Sequence, residues 1–221
     1  SITVTGAANA TVTSGAVAVN SGMTVDASAA TGNFTFNGTG ATGNGYTLKG
    51  SSGTNVLTGG AAPVTVDITK STTKADQVLI TSATGSTATV FQTISGFTNA
   101  AGTGDKLDLI NNVTIAGNAG AAATGVTNLS GAITSGMVTF SGTAAAGATL
   151  QDKINAAATL AGTTQYSVVG FEHGGNTYIY EQGDTTATYA AGVDVVVQLT
   201  GVTGVTALST GASAAATVYV V

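Results

Sequence analysis

The sequence predicts a mostly β fold: a parallel β-roll or β-helix with degenerate nonapeptide repeats, followed by a β-rich C-terminal domain with one short helix. The first observation is that Leu48, Leu57 and Val66 recur at nine-residue intervals between glycine-rich turns. The second is that threonine and valine, which favour strands, are abundant. The third is that 43% of the residues are hydrophobic and only 7% are charged, a balance that disfavours disorder.

The charge balance excludes several classes of function. The chain has five lysines, no arginine and a net charge of −5, so it lacks the basic surface that nucleic acids or anionic lipids require. No apolar run approaches the ~20 residues of a membrane-spanning helix. The first ten residues lack the basic and apolar regions of a signal peptide. We therefore expect no nucleic acid partner and no membrane insertion, and we expect any export signal to lie elsewhere.

Residues 1–69 are predicted to form successive rungs of one roll or helix. Short alternating segments, bounded by glycine, alanine, serine and asparagine, predict strands at residues 2–4, 11–13, 16–19, 23–25 and 34–36. Phe36 and Leu48 are twelve residues apart rather than nine, so residues 39–45 are predicted to loop out of the repeat.

Residues 70–221 are predicted to form a β-rich capping domain. Alternation predicts further strands at residues 77–80, 89–94, 113–115, 137–140 and 194–199. After the second of these strands, the segment DKLDLI (residues 105–110) is predicted to place Leu107 and Leu109 inward and Lys106 and Asp108 outward, because successive strand side chains alternate between faces.

One helix is predicted, over residues 148–161. Its predicted apolar face consists of Leu150, Ile154, Ala157 and Ala158. Thr149 and Asp152 have the spacing of a capping box, and Gly162 is predicted to end the helix.

A hairpin is predicted after the helix. Its strands are predicted at residues 166–171 and 177–181, joined by a turn at residues 172–176. Tyr178 and Tyr180 alternate onto one face of the return strand, where they are expected to pack against the rest of the domain.

Several motifs resemble a known family. The rungs GSSGTNVLT (residues 50–58) and GGAAPVTVD (residues 59–67) resemble the RTX consensus G-G-x-G-x-D-x-U-x. FTNAAGTGDKLDLI resembles the segment that follows the roll in serralysin-type secreted proteins. FEHGGNTYIYEQGD and DVVVQLTGV are similar to the C-terminal end of RTX-type surface-layer (S-layer) proteins. The resemblance implies calcium-dependent folding outside the cell, assembly into a surface lattice, and export through a type I channel by an uncleaved C-terminal signal.

The two rungs depart from the consensus at the position that binds calcium. Asn55 and Val64 occupy the sixth position, where the family has aspartate, and Ala62 replaces the fourth glycine of the second rung. Aliphatic stacking alone can hold such rungs, whereas calcium prefers six to eight oxygen ligands that include carboxylates. If the chain binds calcium, we expect the ligands among acids in turns or at strand ends: Asp26, Asp67, Asp76, Asp105, Asp108, Asp184 and Asp194.

The sequence does not indicate an enzyme. His173 is the single histidine and lies beside two glycines in the predicted hairpin turn, without a nucleophile or zinc-protease motif. Glu172, Glu181 and Asp184 are close in sequence, but a paired-carboxylate site needs its acids in a cleft with aromatic side chains. No catalytic residue is therefore predicted.

The hypothesis favoured by the resemblance is a structural protein of a bacterial surface layer, secreted to the cell surface and self-assembling in a calcium-dependent lattice. Its implied partners are other copies of itself, the type I secretion machinery and a cell-surface polysaccharide, the last bound through a region outside this chain. One alternative is the non-catalytic C-terminal RTX domain of a type-I-secreted enzyme. Another is a β-helical adhesin or ice-binding module, although Thr65 is followed two residues later by Asp67 rather than by another threonine.

Overall fold

The computed structural model describes residues 1–19, 22–73, 75–84, 90–100, 103–211 and 214–221. Within these residues the chain is mostly strand with one helix, which confirms the prediction of a mostly β protein. The N-terminal strands are β1 (Ile2–Gly6), β2 (Ala10–Thr13), β3 (Val17–Val19), β4 (Met23–Ala30), β5 (Phe34–Asn37), β6 (Ala41–Gly43), β7 (Tyr46–Lys49), β8 (Asn55–Thr58), β9 (Val64–Asp67), β10 (Gln77–Leu79), β11 (Gln92–Ser95) and β12 (Lys106–Asp108). The remaining elements are β13 (Thr114–Ile115), β14 (Ala119–Ala123), β15 (Ser130–Thr134), β16 (Met137–Ser141), α1 (Leu150–Ala161), β17 (Ser167–His173), β18 (Asn176–Glu181), β19 (Val195–Thr200), β20 (Leu208–Gly211) and β21 (Ala214–Val220).

Successive strands of the N-terminal half join two sheets in alternation. The first sheet contains β1, β4, β7, β9 and β11 in that spatial order, and the second sheet contains β2, β5, β8, β10 and β12. Neighbouring strands in both series are parallel, and β3 and β6 form a separate parallel pair. The chain therefore winds repeatedly from one sheet to the other, and we call each circuit a winding.

The nine-residue spacing corresponds to half of one winding. Leu48 in β7 pairs in register with Val66 in β9, 18 residues further along the first sheet, and Leu57 lies between them in the second sheet. All three side chains are buried in the same apolar core between the sheets. The nine-residue spacing does not extend to the next winding. When the chain next returns to the first sheet, Thr65 pairs with Thr93, which is 28 residues later.

The parallel winding continues beyond residue 69. Strands β10, β11 and β12 extend the two sheets with the same parallel pairing, so the predicted division between residues 69 and 70 stays a prediction. In β12 and just after it, Leu107 and Leu109 are buried while Lys106 and Asp108 are partly exposed, as predicted from the alternation.

Two local predictions were wrong. Residues 39–45 do not simply loop out, because β6 within them pairs with β3 and Ala41 is fully buried. The hairpin turn is also tighter than predicted: the strands pair as far as His173 with Asn176, which leaves only Gly174 and Gly175 between them. Both glycines have positive φ, a conformation that few other residues adopt readily.

A third prediction, the strand at 89–94, falls partly outside the described residues, and β11 begins at Gln92.

The C-terminal part extends both sheets. The first sheet continues from β11 through β19, β18, β17, β16, β15 and β14, and β13 pairs with β17, while β21 and β20 complete the second sheet. Helix α1 begins with the predicted capping box between Thr149 and Asp152, and its cap at the other end is Gly162. The helix packs its buried residues, including Ile154, against a second apolar cluster that contains Tyr178 and Tyr180.

No helix in the described part of the chain has both the length and the apolar character needed to cross a membrane.

Candidate functional sites

Three side chains form a buried stack at the entry to the second sheet. Asn55 is the first residue of β8, while Asp76 and Asp105 directly precede β10 and β12. Because Val56, Gln77 and Lys106 pair in register, the three polar side chains occupy equivalent positions in successive windings. None is more than 1% exposed. We call this set the inner stack.

The inner stack is joined by hydrogen bonds from the backbone of one winding to the side chain of the next. The backbone nitrogen and the amide Nδ2 of Asn55 both donate to Asp76 Oδ1, at 2.7 and 2.9 Å. The backbone nitrogen of Asp76 donates to Asp105 Oδ1 at 2.9 Å, and Thr98 N donates to Asp105 Oδ2 at 2.6 Å. Of the four carboxylate oxygens, Asp76 Oδ2 alone is buried without a hydrogen-bond partner among the described residues.

Burial raises the pKa of both carboxyl groups in the inner stack. Loss of hydration disfavours the charged form of Asp76 and of Asp105, and the hydrogen bonds from backbone and side-chain donors counteract only part of this effect. Within the described residues, the single ion pair is on the protein surface, between Lys49 and Asp26 at 2.9 Å. The inner stack is therefore polar, and no lysine of the described residues forms an ion pair with it.

The first sheet contains a neutral counterpart of this arrangement. Gln92, at the start of β11, is 1% exposed, and its Oε1 accepts a 2.7 Å hydrogen bond from the backbone nitrogen of Val64 in the preceding winding. Gln92 and Val64 are neighbours across the sheet, because Thr93 pairs with Thr65. An amide oxygen thus accepts the same kind of backbone bond that Asp76 and Asp105 accept in the second sheet.

Two of the other predicted calcium ligands lie in the loop that precedes β19. Asp194 is fully buried, and its carboxylate accepts hydrogen bonds from Gly183 N, Ala190 N and the hydroxyl of Tyr180, at 2.7 to 2.8 Å. Asp184 Oδ1 accepts bonds from both the backbone nitrogen and the hydroxyl of Thr186, which lower the pKa of Asp184. Both acids close turns of this loop.

The remaining candidates lie on the outer faces of the two sheets. Asp108 accepts hydrogen bonds from the side chains of Gln77 and Thr217 in neighbouring strands. Asp67 Oδ1 accepts hydrogen bonds from the backbone nitrogen and the hydroxyl of Thr69, two residues further along the chain. Asp26 Oδ1 accepts the same pair of bonds from Ser28 within strand β4, where the pairing register shifts, and Asp26 binds Lys49 through Oδ2.

Within the described residues, these acids lie singly or in pairs. The described residues contain no group of three or more acidic, histidine or cysteine side chains positioned to hold a metal. Asp76 and Asp105 are close together, and so are Asp184 and Asp194, but the chain's own N–H and O–H groups already bind oxygens of each carboxylate. Calcium would need six to eight oxygens that face it.

Glu172 and Glu181, which are close in sequence, lie in different environments in the structure. Glu172 lies on the surface, where Oε1 accepts bonds from Gly204 N and Val205 N. Glu181 is buried, and its Oε1 accepts a 3.1 Å bond from Asn111 while Oε2 has no partner among the described residues. Burial raises the pKa of Glu181 to about 7. A hydrolytic pair of Glu172 and Glu181 is not assembled.

The single histidine lies at the end of the hairpin. His173 pairs with Asn176 at the end of the hairpin, and its ring packs at an angle to the ring of Tyr178. Partial burial lowers the pKa of His173, with a smaller contribution from the positive charge of Lys153. No hydrogen bond joins His173 to a carboxylate or a hydroxyl group in the described residues.

A regular row of threonine side chains crosses the outer face of the first sheet. The members of the row pair in register from β4 to β11: Thr24, Thr47, Thr65 and Thr93. Neighbouring strands are about 4.8 Å apart, and the Thr93 hydroxyl donates to the Thr65 hydroxyl at 3.3 Å. A parallel row two residues further along the strands contains Asp26, Lys49, Asp67 and Ser95.

A groove of about 520 Å³ lies over part of the threonine row. Thr47, Thr65 and Thr93 line it together with Pro63 and Phe91. The groove therefore combines hydroxyl groups from the sheet with apolar surface from the segments that precede the strands.

Sequence reasoning missed the inner stack and Gln92, although a signal for both was present. Asn55, Asp76, Asp105 and Gln92 each precede a buried aliphatic residue by two positions. Because side chains two apart share a face of a strand, this spacing predicts inward-facing polar groups. Glu181 has the same spacing in the reverse order, since it follows the buried Ile179 by two positions.

Comparison with protein-family models finds no match for the chain, and comparison with curated proteins finds none either.

Proposed function

We propose that the chain is a structural protein of a bacterial surface layer, and that its windings form a parallel β-roll or β-helix. The observation that carries the proposal is the in-register pairing of Leu48 with Val66, with Leu57 in the opposite sheet. This arrangement matches the half-winding expected of the RTX-like rungs. The low charge of the chain and its stacked windings support an architectural role.

Self-assembly is the activity assigned to the chain. The partner is another copy of the same chain, and calcium enters the proposal as a link between copies rather than as a ligand inside one copy. The acids suited to this role are half-exposed, such as Asp67 and Asp184. Each uses Oδ1 for its own turn and remains at the surface, where oxygens from a second chain can complete a coordination shell.

Light scattering at several protein concentrations, with calcium at millimolar concentration and with a chelator, tests this assignment. We expect large assemblies in calcium that dissolve when the metal is removed, and an ordered lattice by electron microscopy. The double variant Asp67→Asn, Asp184→Asn is expected to weaken assembly, whereas Asp152→Asn, which alters an exposed acid of the helix cap, serves as the matched control. A chain that stays monomeric in calcium would overturn the proposal.

Export through a type I channel forms the second part of the proposal. It follows from the similarity of the C-terminal segments to those of RTX-type surface-layer proteins. A fusion of the C-terminal residues to a folded passenger, expressed with and without a type I channel, tests it. Channel-dependent appearance of the passenger in the medium is expected, and retention of the passenger in the cell in both cases would contradict it.

The threonine row favours a second candidate function, a binding module of the ice-binding or adhesin type. The row is longer and more regular than the sequence predicted, because it runs across the strands rather than along them. The neighbouring row contains Asp26, Lys49 and Asp67, which makes the surface more polar than a face of threonine alone. Ice-recrystallisation assays of the chain and of Thr47→Val, Thr65→Val and Thr93→Val variants distinguish this function, with Thr35→Val and Thr58→Val in the second sheet as controls.

A further inference from the structure

We infer that the inner stack and Gln92, rather than calcium, close the turns of the windings, so that the single chain folds without metal. This inference does not depend on the proposed surface-layer function. It concerns what holds one copy together, whereas the proposed calcium links lie between copies.

The direction of the hydrogen bonds is the first argument. At Asp76 Oδ1 two N–H groups of Asn55 donate, and at Asp105 each of the two oxygens accepts one backbone N–H. The hydrogens of these donors carry partial positive charge and lie where a cation would need to approach. Asp76 Oδ2 is the one oxygen of the stack left over, which is far short of the six to eight that calcium takes.

The residue at the start of the stack supplies the second argument. Asn55 occupies the sixth position of the RTX-like rung, where aspartate would bind the metal. Its Oδ1 accepts 2.7 and 3.2 Å bonds from the nitrogen and hydroxyl of Ser51, and its Nδ2 donates to Ser51 O and Gly53 O. A Cβ added at Gly50 would lie 2.9 Å from Asn55 Cγ, so the turn is closely fitted to the amide. Asn55 thus binds the carbonyl oxygens of its own turn, and each of these oxygens already accepts a hydrogen bond from the amide.

The first sheet provides the third argument. Gln92 accepts the Val64 N–H across one winding in the same way as Asp76 accepts the Asn55 N–H. Gln92 is neutral and has no carboxylate to offer a cation. The winding is therefore closed in one sheet by an amide and in the other by two carboxylates, and the shared requirement is a buried oxygen acceptor for a backbone N–H.

The structure predicts different effects for the two carboxylates of the stack. In Asp76→Asn the amide oxygen can keep the bonds from Asn55, and the new NH₂ group replaces the oxygen that has no partner. In Asp105→Asn the NH₂ group must replace an oxygen that accepts a backbone N–H, and two donors then face each other. We expect Asp76→Asn to retain or raise the melting temperature and Asp105→Asn to lower it.

Thermal melts of the 221-residue chain in millimolar calcium and in EGTA provide the test, with circular dichroism as the readout. We expect the same melting temperature in both buffers, whereas calcium bound at 100 times its dissociation constant would raise it by roughly 5–10 °C in a chain of this size. Gln92→Leu, which leaves the Val64 N–H without an acceptor, is expected to lower the melting temperature equally in both. Glu172→Gln on the exposed surface is the matched control for removal of a carboxylate.

Two results would overturn the inference. One is a chain that is unfolded or markedly less stable in EGTA and recovers on addition of calcium. The other is an Asp76→Asn variant that has lost a calcium-dependent increase present in the wild type. Light scattering of the same samples distinguishes failure of this inference from failure of the proposed assembly. A chain that folds in EGTA but never assembles contradicts the surface-layer proposal and supports the inference that the inner stack closes the windings without metal.

Discussion

The hydroxyl of Tyr180 lies 2.8 Å from Asp194 Oδ2, and both side chains are buried. Tyr180 comes from the hairpin strand β18, while Asp194 ends the long loop that returns to β19. The same carboxylate accepts hydrogen bonds from Gly183 N and Ala190 N near the two ends of that loop. One buried acid therefore holds the loop against the sheet and against the aromatic cluster under α1.

Removal of the Tyr180 hydroxyl is expected to destabilise the fold. Tyr180→Phe removes the contact with Asp194 and also a 2.7 Å contact with Gln182 Oε1, and we expect a loss of about 1–2 kcal/mol in the free energy of unfolding. Tyr178→Phe is the matched control, because the Tyr178 hydroxyl is only partly buried and its contact with Gln198 is long, at 3.4 Å. Urea unfolding of the two variants measures the difference, and equal losses would contradict the role assigned to Asp194.

The β-rich class, the helix and the inward leucines could all be predicted because they depend on short-range periodicity. Leu107 and Leu109 alternate with polar residues, and Thr149, Asp152 and Gly162 mark the helix ends directly. The pairing of β3 with β6 could not be predicted in the same way. The two strands consist of alanine, valine, threonine and glycine, a composition that is also typical of loops. The burial of Ala41 is visible only in the structure.

The candidate sites were less predictable than the fold. The sequence identified Asp76, Asp105 and Asp194 as notable acids, but it could not show which hydrogen-bond donors face them. Those donors lie between 4 positions away, as Ala190 N does from Asp194, and 29 positions away, as Asp76 N does from Asp105. A carboxylate that ligates metal and one that caps a backbone amide look the same in sequence.

Truncation of the aliphatic row should strongly destabilise the windings. Leu57 is fully buried between the sheets, so Leu57→Ala is expected to lower the free energy of unfolding by about 2–5 kcal/mol. Thr58 is the next residue and points away from the core, and Thr58→Ala should change the stability by less than about 0.5 kcal/mol. Chemical denaturation of both variants provides the measurement. Similar values for the two would contradict the placement of Leu57 in the core.

The pKa of Asp26 is expected to depend more on Ser28 than on Lys49. It is lowered to about 2, with the Ser28 side chain as the largest cause and the Lys49 ion pair second. Because the folded-state pKa is depressed, Asp26 stabilises the fold above about pH 4, and this contribution is lost as the pH falls through about 2. It should amount to less than about 1 kcal/mol, since the pair lies at the protein surface, where solvent screens it. In NMR titrations, Ser28→Ala should raise the Asp26 pKa more than Lys49→Met does, and the reverse order would contradict the assignment.

Glu181 is expected to make the fold less stable as the pH rises towards 8. Its folded-state pKa is raised from 4.5 to about 7 by burial, so below pH 4.5 the group is protonated in both states and has no effect. As the pH rises, the unfolded state ionises first, and above pH 7 the full penalty of about 3 kcal/mol opposes folding. Glu181→Gln keeps the acceptor for Asn111 and removes the charge. Urea unfolding should therefore show the variant more stable than the wild type at pH 8 and similar to it at pH 4.5. Glu172→Gln on the exposed face is the control, and a Glu181→Gln variant with the same advantage at both pH values would refute a titrating Glu181.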